Sequence, residues 1–138
     1  GFELKDNLGA WLREQGHAIL DLGTNSAESV DYPLFGAKLA RAIAAGEAER
    51  GIAVCGSGIG IAVAINRFAA CRCAHVGEPL SATLARTHND ANVLALGARL
   101  TGPDMARACV SAFLGADFAG GRHQHRVDQL SHLLQDSD

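Results

Sequence analysis

The chain has 138 residues, of which 48% are apolar and 20% are charged, and its formal net charge is −3. That length and apolar fraction fit one folded domain with a single core, and they exclude a disordered chain. The small negative charge gives no electrostatic reason to expect nucleic acid or an anionic membrane as a partner. No apolar run approaches the ~20 residues that span a bilayer, and the opening residues lack the pattern of a signal peptide. We therefore expect one cytoplasmic domain over residues 1–138.

Helical and strand patterns alternate along the chain. Residues 2–15 carry apolar side chains at helical spacing, and Gly16 ends that helix. Residues 17–23 are predicted as a short strand, and a polar loop then leads to a helix that starts near Pro33 and stops at Gly46. The later predicted strands cover 51–55, 71–76 and 92–97, and the later helices cover 59–66, 78–88, 102–115 and about 122–135. Short apolar strands between longer helices predict a doubly wound α/β fold with a parallel sheet.

The chain opens on a helix, whereas a βα architecture normally opens on a strand. We therefore expect that a first strand of the full protein is missing from this sequence.

Four cysteines lie in apolar runs rather than in loops, at positions 55, 71, 73 and 109. This placement favours reduced thiols over disulfides. Cys71 and Cys73 form a C-x-C pair that could bind a metal, but strand alternation places both on one face, and no second ligand pair follows at metal spacing. Core packing is the favoured interpretation, and we expect no metal site.

The stretch GIAVCGSGIG ends a predicted strand in Cys55 and continues into a glycine turn. Ile61 stands where a P-loop needs Lys and where a cysteine phosphatase needs Arg, so neither motif is present. The three glycines are evenly spaced and do not match G-x-G-x-x-G. Uncovered backbone N–H groups at a helix start could hold an anion beside the thiol. The turn alone is equally consistent with a tight βα connection around a buried cysteine.

Polar groups elsewhere favour a functional interpretation. His88, Asn89 and Asp90 form a polar triplet in a predicted loop, and Arg99 follows the next strand. Arg122 and Arg126 lie four residues apart on the last helix, so the three arginines indicate a phosphate clamp. The alternative for the last two is a solvated helix start, and the neighbouring His123 and His125 could equally be surface residues.

This set of groups suits proton transfer next to a carbonyl on a phosphorylated small molecule. The Cys55 thiolate would remove a carbon-bound proton, while backbone N–H groups and the Ser57 hydroxyl would hold the enediolate. The arginines would anchor the phosphate.

The strings CGSGIGIAVAIN, HNDANVLALGAR and GGRHQ, in this order, resemble the type B ribose-5-phosphate isomerases and their galactose-6-phosphate and allose-6-phosphate isomerase relatives. The resemblance runs along nearly the whole chain. It implies a Rossmann-like fold, a homodimer or a tetramer of dimers, and cofactor-free interconversion of an aldose phosphate and a ketose phosphate, ribose 5-phosphate foremost.

The same resemblance assigns roles to individual residues. Cys55 is similar to the family's proton-transferring base and His88 to the acid that assists ring opening, while Ser57 stands where many relatives have Thr. The glycine-turn backbone resembles the enediolate cradle, with Gly56, Gly58, Ile59 and Gly60. Positions that resemble substrate or phosphate contacts, some supplied by a neighbouring subunit, are Tyr32, Asn89, Arg99, Arg122 and Arg126.

One departure from the family pattern leaves alternatives open. Family members carry a first strand ending in Asp-His, which contacts the substrate, and this sequence lacks it. A non-catalytic phosphosugar-binding relative is therefore one alternative. A cysteine hydrolase built on Cys55 and His88 is another, and Asp90 is its only evident orienting carboxylate.

Overall fold

Three parallel strands and six helices make up the described part of the chain, residues 2–23 and 31–133 of a computed structural model. The chain order is α1 (Phe2–Glu14), α2 (Tyr32–Ala44), β1 (Gly51–Cys55), α3 (Ile59–Ile65), β2 (Cys73–His75), α4 (Pro79–Thr87), β3 (Val93–Gly97), α5 (Pro103–Gly115) and α6 (Arg122–Ser131). The alternation predicted from the sequence is confirmed for every element after residue 31.

Strand β3 lies at the centre of the sheet, whose order is β1-β3-β2. All five of its residues are buried, as expected for the uninterrupted apolar run VLALG. Its pairing with β1 runs in parallel from Gly51 opposite Val93 to Cys55 opposite Gly97. The carboxyl ends of the strands therefore meet at one edge of the sheet, and their amino ends meet at the other.

Helices cover both faces of the sheet. Leu94 and Leu96 of β3 pack into a cluster with α1, α4 and α5, while Val93 and Ala95 pack into a second cluster with α2 and α3. This alternation follows from the period of two along a strand. The fold is thus the doubly wound, Rossmann-like α/β domain that the sequence predicted.

Local sequence signals account for the helix ends. Asp31 precedes α2 and Pro33 lies in its first turn, while Gly16 and Gly46 take positive φ angles of 91° and 76° after α1 and α2. The carboxylate of Glu78 accepts hydrogen bonds from the backbone N–H groups of Leu80 (2.7 Å) and Ser81 at the start of α4.

The segment 17–23 differs from its prediction, because it forms no strand pairing with the described residues. A cleft of about 560 Å³ separates it from the outer edge of β1. The cleft is lined by Ile19 and Leu22 on one side, and by Ile52 and Val54 on the other. A strand needs a hydrogen-bonding neighbour at about 4.8 Å, and across this cleft the segment has none.

Two other predicted elements are shorter than expected. Strand β2 covers only Cys73–His75 rather than 71–76, because the backbone N–H of Arg72 donates to the side-chain Oδ1 of Asn92 (2.8 Å) instead of to a ladder carbonyl. Helix α6 ends at Ser131, where His132 caps it, and Leu133 is exposed on this chain. The remainder of the expected helix, residues 134–135, lies outside the described residues. Within 2–23 and 31–133, no helix is both long and apolar enough to cross a bilayer.

A substitution at Gly97 tests the packing of the central strand against the glycine turn. A Cβ at this position would lie 2.4 Å from the carbonyl oxygen of Ser57, an atom that cannot rotate away. We expect Gly97→Ala to lower the free energy of unfolding by about 3 kcal/mol in urea titrations. Gly77→Ala is the matched control, since a Cβ there meets no atom within 4 Å. Equal urea midpoints for the two variants would contradict this packing.

Candidate active site

Cys55 lies at the last position of β1, half-buried at the carboxyl edge of the sheet. Its side chain points to the α2–α3 face, because Ala53, two residues earlier, is buried there. The backbone N–H of Gly58 donates a hydrogen bond to its Sγ at 3.1 Å. This bond fixes the position of the sulfur relative to the backbone of the turn.

The turn after Cys55 depends on glycine at position 58. Gly58 has φ +81°, and a Cβ on it would lie 2.6 Å from the ring of His75 and 2.8 Å from the backbone of Leu96. No other residue fits this combination of angle and space. The turn therefore packs tightly between β3 and the end of β2, which holds its N–H groups in place.

Ser57 places a hydroxyl in the same turn as the N–H that bonds the thiol. Its Oγ accepts a hydrogen bond from the backbone N–H of Ile59 at 3.1 Å, within the turn. That bond fixes the oxygen and leaves the hydroxyl proton available to an acceptor outside the turn.

Tyr32 and Arg99 lie over the same turn from two other elements. The ring of Tyr32, at the start of α2, approaches Gly60 so closely that a Cβ there would be 2.7 Å from the ring. The guanidinium of Arg99 lies against Gly56, with Nε 3.3 Å from the corresponding Cβ position. Arg99 takes part in no ion pair with the described residues, so its charge can bind an anion.

These residues form one group, which we call the carboxyl-edge cluster. It consists of Tyr32, Cys55, Gly56, Ser57, Gly58, Ile59, Gly60 and Arg99. The cleft of about 560 Å³ reaches this cluster, since Tyr32, Cys55, Gly56 and Arg99 are among its lining residues. A thiol, a phenol, a guanidinium and the backbone of Gly56 thus lie at one end of this cleft.

A second group lies at the end of α4. His88 caps that helix, and its ring stacks on the ring of His123 in α6, with centroids 4.2 Å apart and planes 13° apart. Partial desolvation lowers the pKa of His123, and the charges of His88, Arg122 and Arg126 lower it further. We call His88, Asn89, Arg122, His123 and Arg126 together the amino-edge cluster.

The two clusters lie at opposite edges of the sheet. The N–H of Gly51, the first residue of β1, donates to the carbonyl of Asn92 at 2.9 Å, so the loop after His88 lies where β1 begins. Cys55 lies four residues further along, which is about 13 Å at 3.3 Å per residue. Within one chain, the topology separates Cys55 from His88, because α4 runs back across the sheet before β3 starts.

This separation argues against a cysteine hydrolase formed within one chain. A nucleophile and its base must lie within hydrogen-bond reach, and in one chain Cys55 and His88 do not. The carboxylate of Asp90 is also bound by Arg72 and Arg86, so it does not orient the His88 ring.

Three residues that the sequence did not single out support the two clusters. The ring of His75 packs against Gly58, while Arg72 and Arg86 bind Asp90. The i,i+4 spacing of Arg86 and Asp90 is a sequence signal for that pair. The contacts of His75 and Arg72 join residues 17 and 18 positions apart, and no local pattern indicates them.

The remaining thiols belong to the core. Cys71 is buried, and Cys73 packs against the same α2–α3 cluster, as the alternation of the strand predicted. Burial raises the pKa of Cys73 to about 12, so it is a neutral thiol at physiological pH. The described ranges contain no group of three or more His, Cys, Asp or Glu side chains arranged to hold a metal ion.

Comparison with known proteins gives consistent matches along the chain. The family model described as ribose/galactose isomerase matches residues 1–130. Ribose-5-phosphate isomerase B of Escherichia coli is 47% identical over 135 residues, covering 98% of this chain and 91% of the relative. The structure of ribose-5-phosphate isomerase B from Clostridium thermocellum has a TM-score of 0.96 at 43% identity, covering 98% of this chain and 91% of the other. The structure of ribose-5-phosphate isomerase B from Mycoplasma genitalium, solved with bound ribulose-5-phosphate, has a TM-score of 0.92 at 33% identity. The match covers 99% of this chain and 91% of the other.

The thiols should differ sharply in reactivity. Cys55 is half-buried with an N–H group at its sulfur, Cys71 and Cys109 are buried, and Cys73 is protonated below about pH 12. We expect iodoacetamide at pH 8 to alkylate Cys55 first, as measured by mass spectrometry of tryptic peptides during the first partial labelling. Labelling of Cys73 at the same rate as Cys55 would contradict this description of the turn.

Proposed function

The chain belongs to the ribose/galactose isomerase family, and we propose that it interconverts ribose 5-phosphate and ribulose 5-phosphate through a cis-enediolate. The observation that carries this proposal is the Cys55 sulfur at 3.1 Å from the Gly58 N–H, in a turn over which Tyr32 and Arg99 also lie. The names of the E. coli and C. thermocellum relatives and the ligand of the M. genitalium enzyme support the choice of substrate.

Cys55 acts as the base that moves one proton between two carbons. The thiolate removes the proton from C2 of the open-chain aldose, and the electron pair of that C–H bond shifts to form the enediolate. The hydroxyl proton on the C2 oxygen passes to the C1 oxygen, and the thiol returns the carbon-bound proton to C1, so that the C2 oxygen becomes the carbonyl of the ketose. C1 is reduced and C2 is oxidised within one molecule, so the balance needs no external oxidant or cofactor.

The glycine turn stabilises the charge that develops on oxygen. The N–H groups of Gly58 and Ile59 already bond to Cys55 Sγ and Ser57 Oγ, so the donors to the substrate are the other backbone N–H groups of the turn and the hydroxyl of Ser57. Loss of a single donor of this kind typically lowers kcat by about 10²–10³-fold. Arg99, lying against Gly56, anchors the anionic substrate from the same chain.

We further propose that two copies of the chain complete each site. Each copy carries a carboxyl-edge cluster and an amino-edge cluster about 13 Å apart along β1, so one copy does not close a site alone. A two-fold dimer presents the amino-edge cluster of each subunit to the carboxyl-edge cluster of the other, which gives two equivalent sites. The outer face of α3 supports such a contact, because Ile59 and Val63 are 54% and 59% exposed one helical turn apart.

The partner subunit supplies the remaining chemistry. Ribose 5-phosphate closes into a furanose ring, which must open before C2 can lose its proton. His88 of the partner subunit donates a proton to the ring oxygen, and Asn89 of the partner subunit contacts the substrate. Arg122 and Arg126 of the partner subunit, which lie on one face of α6, bind the phosphate.

A reducing compartment suits this site. All four cysteines are free thiols, and the proposed base must stay unoxidised to accept a proton. This supports the cytoplasm as the place where the enzyme works.

Replacement of Cys55 separates an isomerase from a phosphosugar-binding protein. We expect Cys55→Ala to lower kcat for ribose 5-phosphate by about 10³-fold or more, because no other base reaches C2, while calorimetry still detects binding of the sugar phosphate. Cys73→Ala is the matched control and should keep most of the activity. Turnover by Cys55→Ala at the wild-type rate would rule out the mechanism, and binding without turnover by the wild-type chain would identify a non-catalytic protein.

A further inference from the structure

Asp90 is held in an unusual backbone conformation between the amino-edge cluster and strand β3. Its φ is +49°, and it is the only residue other than glycine with a positive φ among the described residues. Aspartate tolerates this left-handed region better than most side chains, but the conformation still requires support from the surroundings. The support comes from two arginines on separate elements.

Each carboxylate oxygen of Asp90 is bound by a different arginine. Arg86 Nη1 donates to Oδ1 at 2.8 Å, and Arg72 Nη2 donates to Oδ2 at 3.2 Å. The same two side chains also bind the backbone, since Arg72 Nε donates to the Asp90 carbonyl (2.9 Å) and Arg86 Nη1 to the Ala91 carbonyl (2.8 Å). The side chain and main chain of Asp90 are therefore fixed together. We call Arg72, Arg86 and Asp90 the Asp90 clamp.

Burial makes the clamp hard to rearrange. Arg86 is only 4% exposed, and its Nε has no hydrogen-bond partner among the described residues. The Asp90 carboxylate is the anion that compensates this buried charge within the described part of the chain. A buried arginine without its anion is unfavourable, so the pair holds one geometry.

His88 and Asn89 depend on this geometry for their positions. They form the short link between the last turn of α4, where His88 N–H donates to Leu84 O (2.9 Å), and the clamp at Asp90. Both side chains are exposed, and the ring of His88 stacks on the ring of His123. Their direction is therefore set by the backbone, and the backbone is set by the clamp.

We propose that Asp90 is a positioning residue of the isomerase: bound by Arg72 and Arg86, it sets where His88 and Asn89 meet the substrate in the partner subunit's site. This inference rests on the proposed function. In this role Asp90 does not contact the substrate. Because ring opening uses His88, loss of the clamp should slow ring opening more than proton transfer by Cys55.

Two assays separate these steps. Isomerisation of ribose 5-phosphate includes ring opening, whereas ribulose 5-phosphate has its C5 oxygen esterified and remains open-chain. Exchange of the C1 proton of ribulose 5-phosphate with D2O, followed by NMR, therefore measures proton transfer alone. We expect Asp90→Asn to slow ribose 5-phosphate turnover by about tenfold or more and C1 exchange by less than about threefold.

Further variants keep the test decisive. Asp90→Gly accepts the positive φ without the carboxylate, so it should show the same selective loss if the clamp matters and none if only the backbone angle matters. Should either variant fail to fold, Arg72→Gln removes the more exposed half of the clamp and should show a smaller selective loss. Asp6→Asn, which breaks an exposed ion pair with Lys5 at 3.5 Å, is the control and should change neither rate.

The outcomes are distinct. Equal losses in both assays, or no loss in folded variants, would overturn the positioning role of Asp90. Absence of turnover by the wild-type chain would instead overturn the proposed function. A selective loss that Asp6→Asn does not share supports the inference.

Discussion

The parallel pairing of β1 with β3 determines where every group of the candidate site lies. It places Cys55 opposite Gly97 and Gly51 opposite Val93, so one edge of the sheet receives the strand ends and the other receives the helix ends. The glycine turn can follow Cys55 only because Gly97 has no side chain to meet the Ser57 backbone. The same pairing carries the end of α4 and its His88 to the far edge.

The proposal that each chain carries two half-sites rests on this arrangement. The carboxyl-edge cluster holds what proton transfer needs, a thiol with backbone donors, whereas the amino-edge cluster holds what ring opening and phosphate binding need, an imidazole with arginines. A longer loop could bring the two together, but the short connections of this fold do not. In the proposed dimer, a two-fold axis brings the two clusters together and completes two sites through one contact.

Local patterns in the sequence were sufficient for much of this description. The apolar run VLALG predicted the central strand, the glycine after each early helix predicted its end, and the thiol before a glycine turn predicted a site at the strand's carboxyl end. These features depend on neighbouring residues, so the sequence carries them. The Arg86–Asp90 pair, which joins the last turn of α4 to a residue four positions later, belongs with them.

Features that depend on distant partners could not be predicted in the same way. Residues 17–23 have a strand-like pattern, but a strand also needs a paired neighbour, and none of the described strands pairs with them. The strand at 71–76 begins late because an asparagine 20 residues away takes the N–H of Arg72. The packing of His75 on Gly58 and the bond of Arg72 to Asp90 likewise join parts of the chain whose meeting only the fold determines.

The claim that two copies share each site can be tested most directly by mixing two inactive variants. Cys55→Ala damages only the carboxyl-edge cluster and His88→Ala only the amino-edge cluster, so a hybrid dimer has one site with both lesions and one intact site. After equal co-expression, half of the dimers are hybrids, and each hybrid has one intact site of its two. The mixture should therefore show about one quarter of the activity of the same amount of wild-type protein. Mixtures no more active than either variant alone, in samples where native mass spectrometry detects the hybrid dimer, would contradict the account.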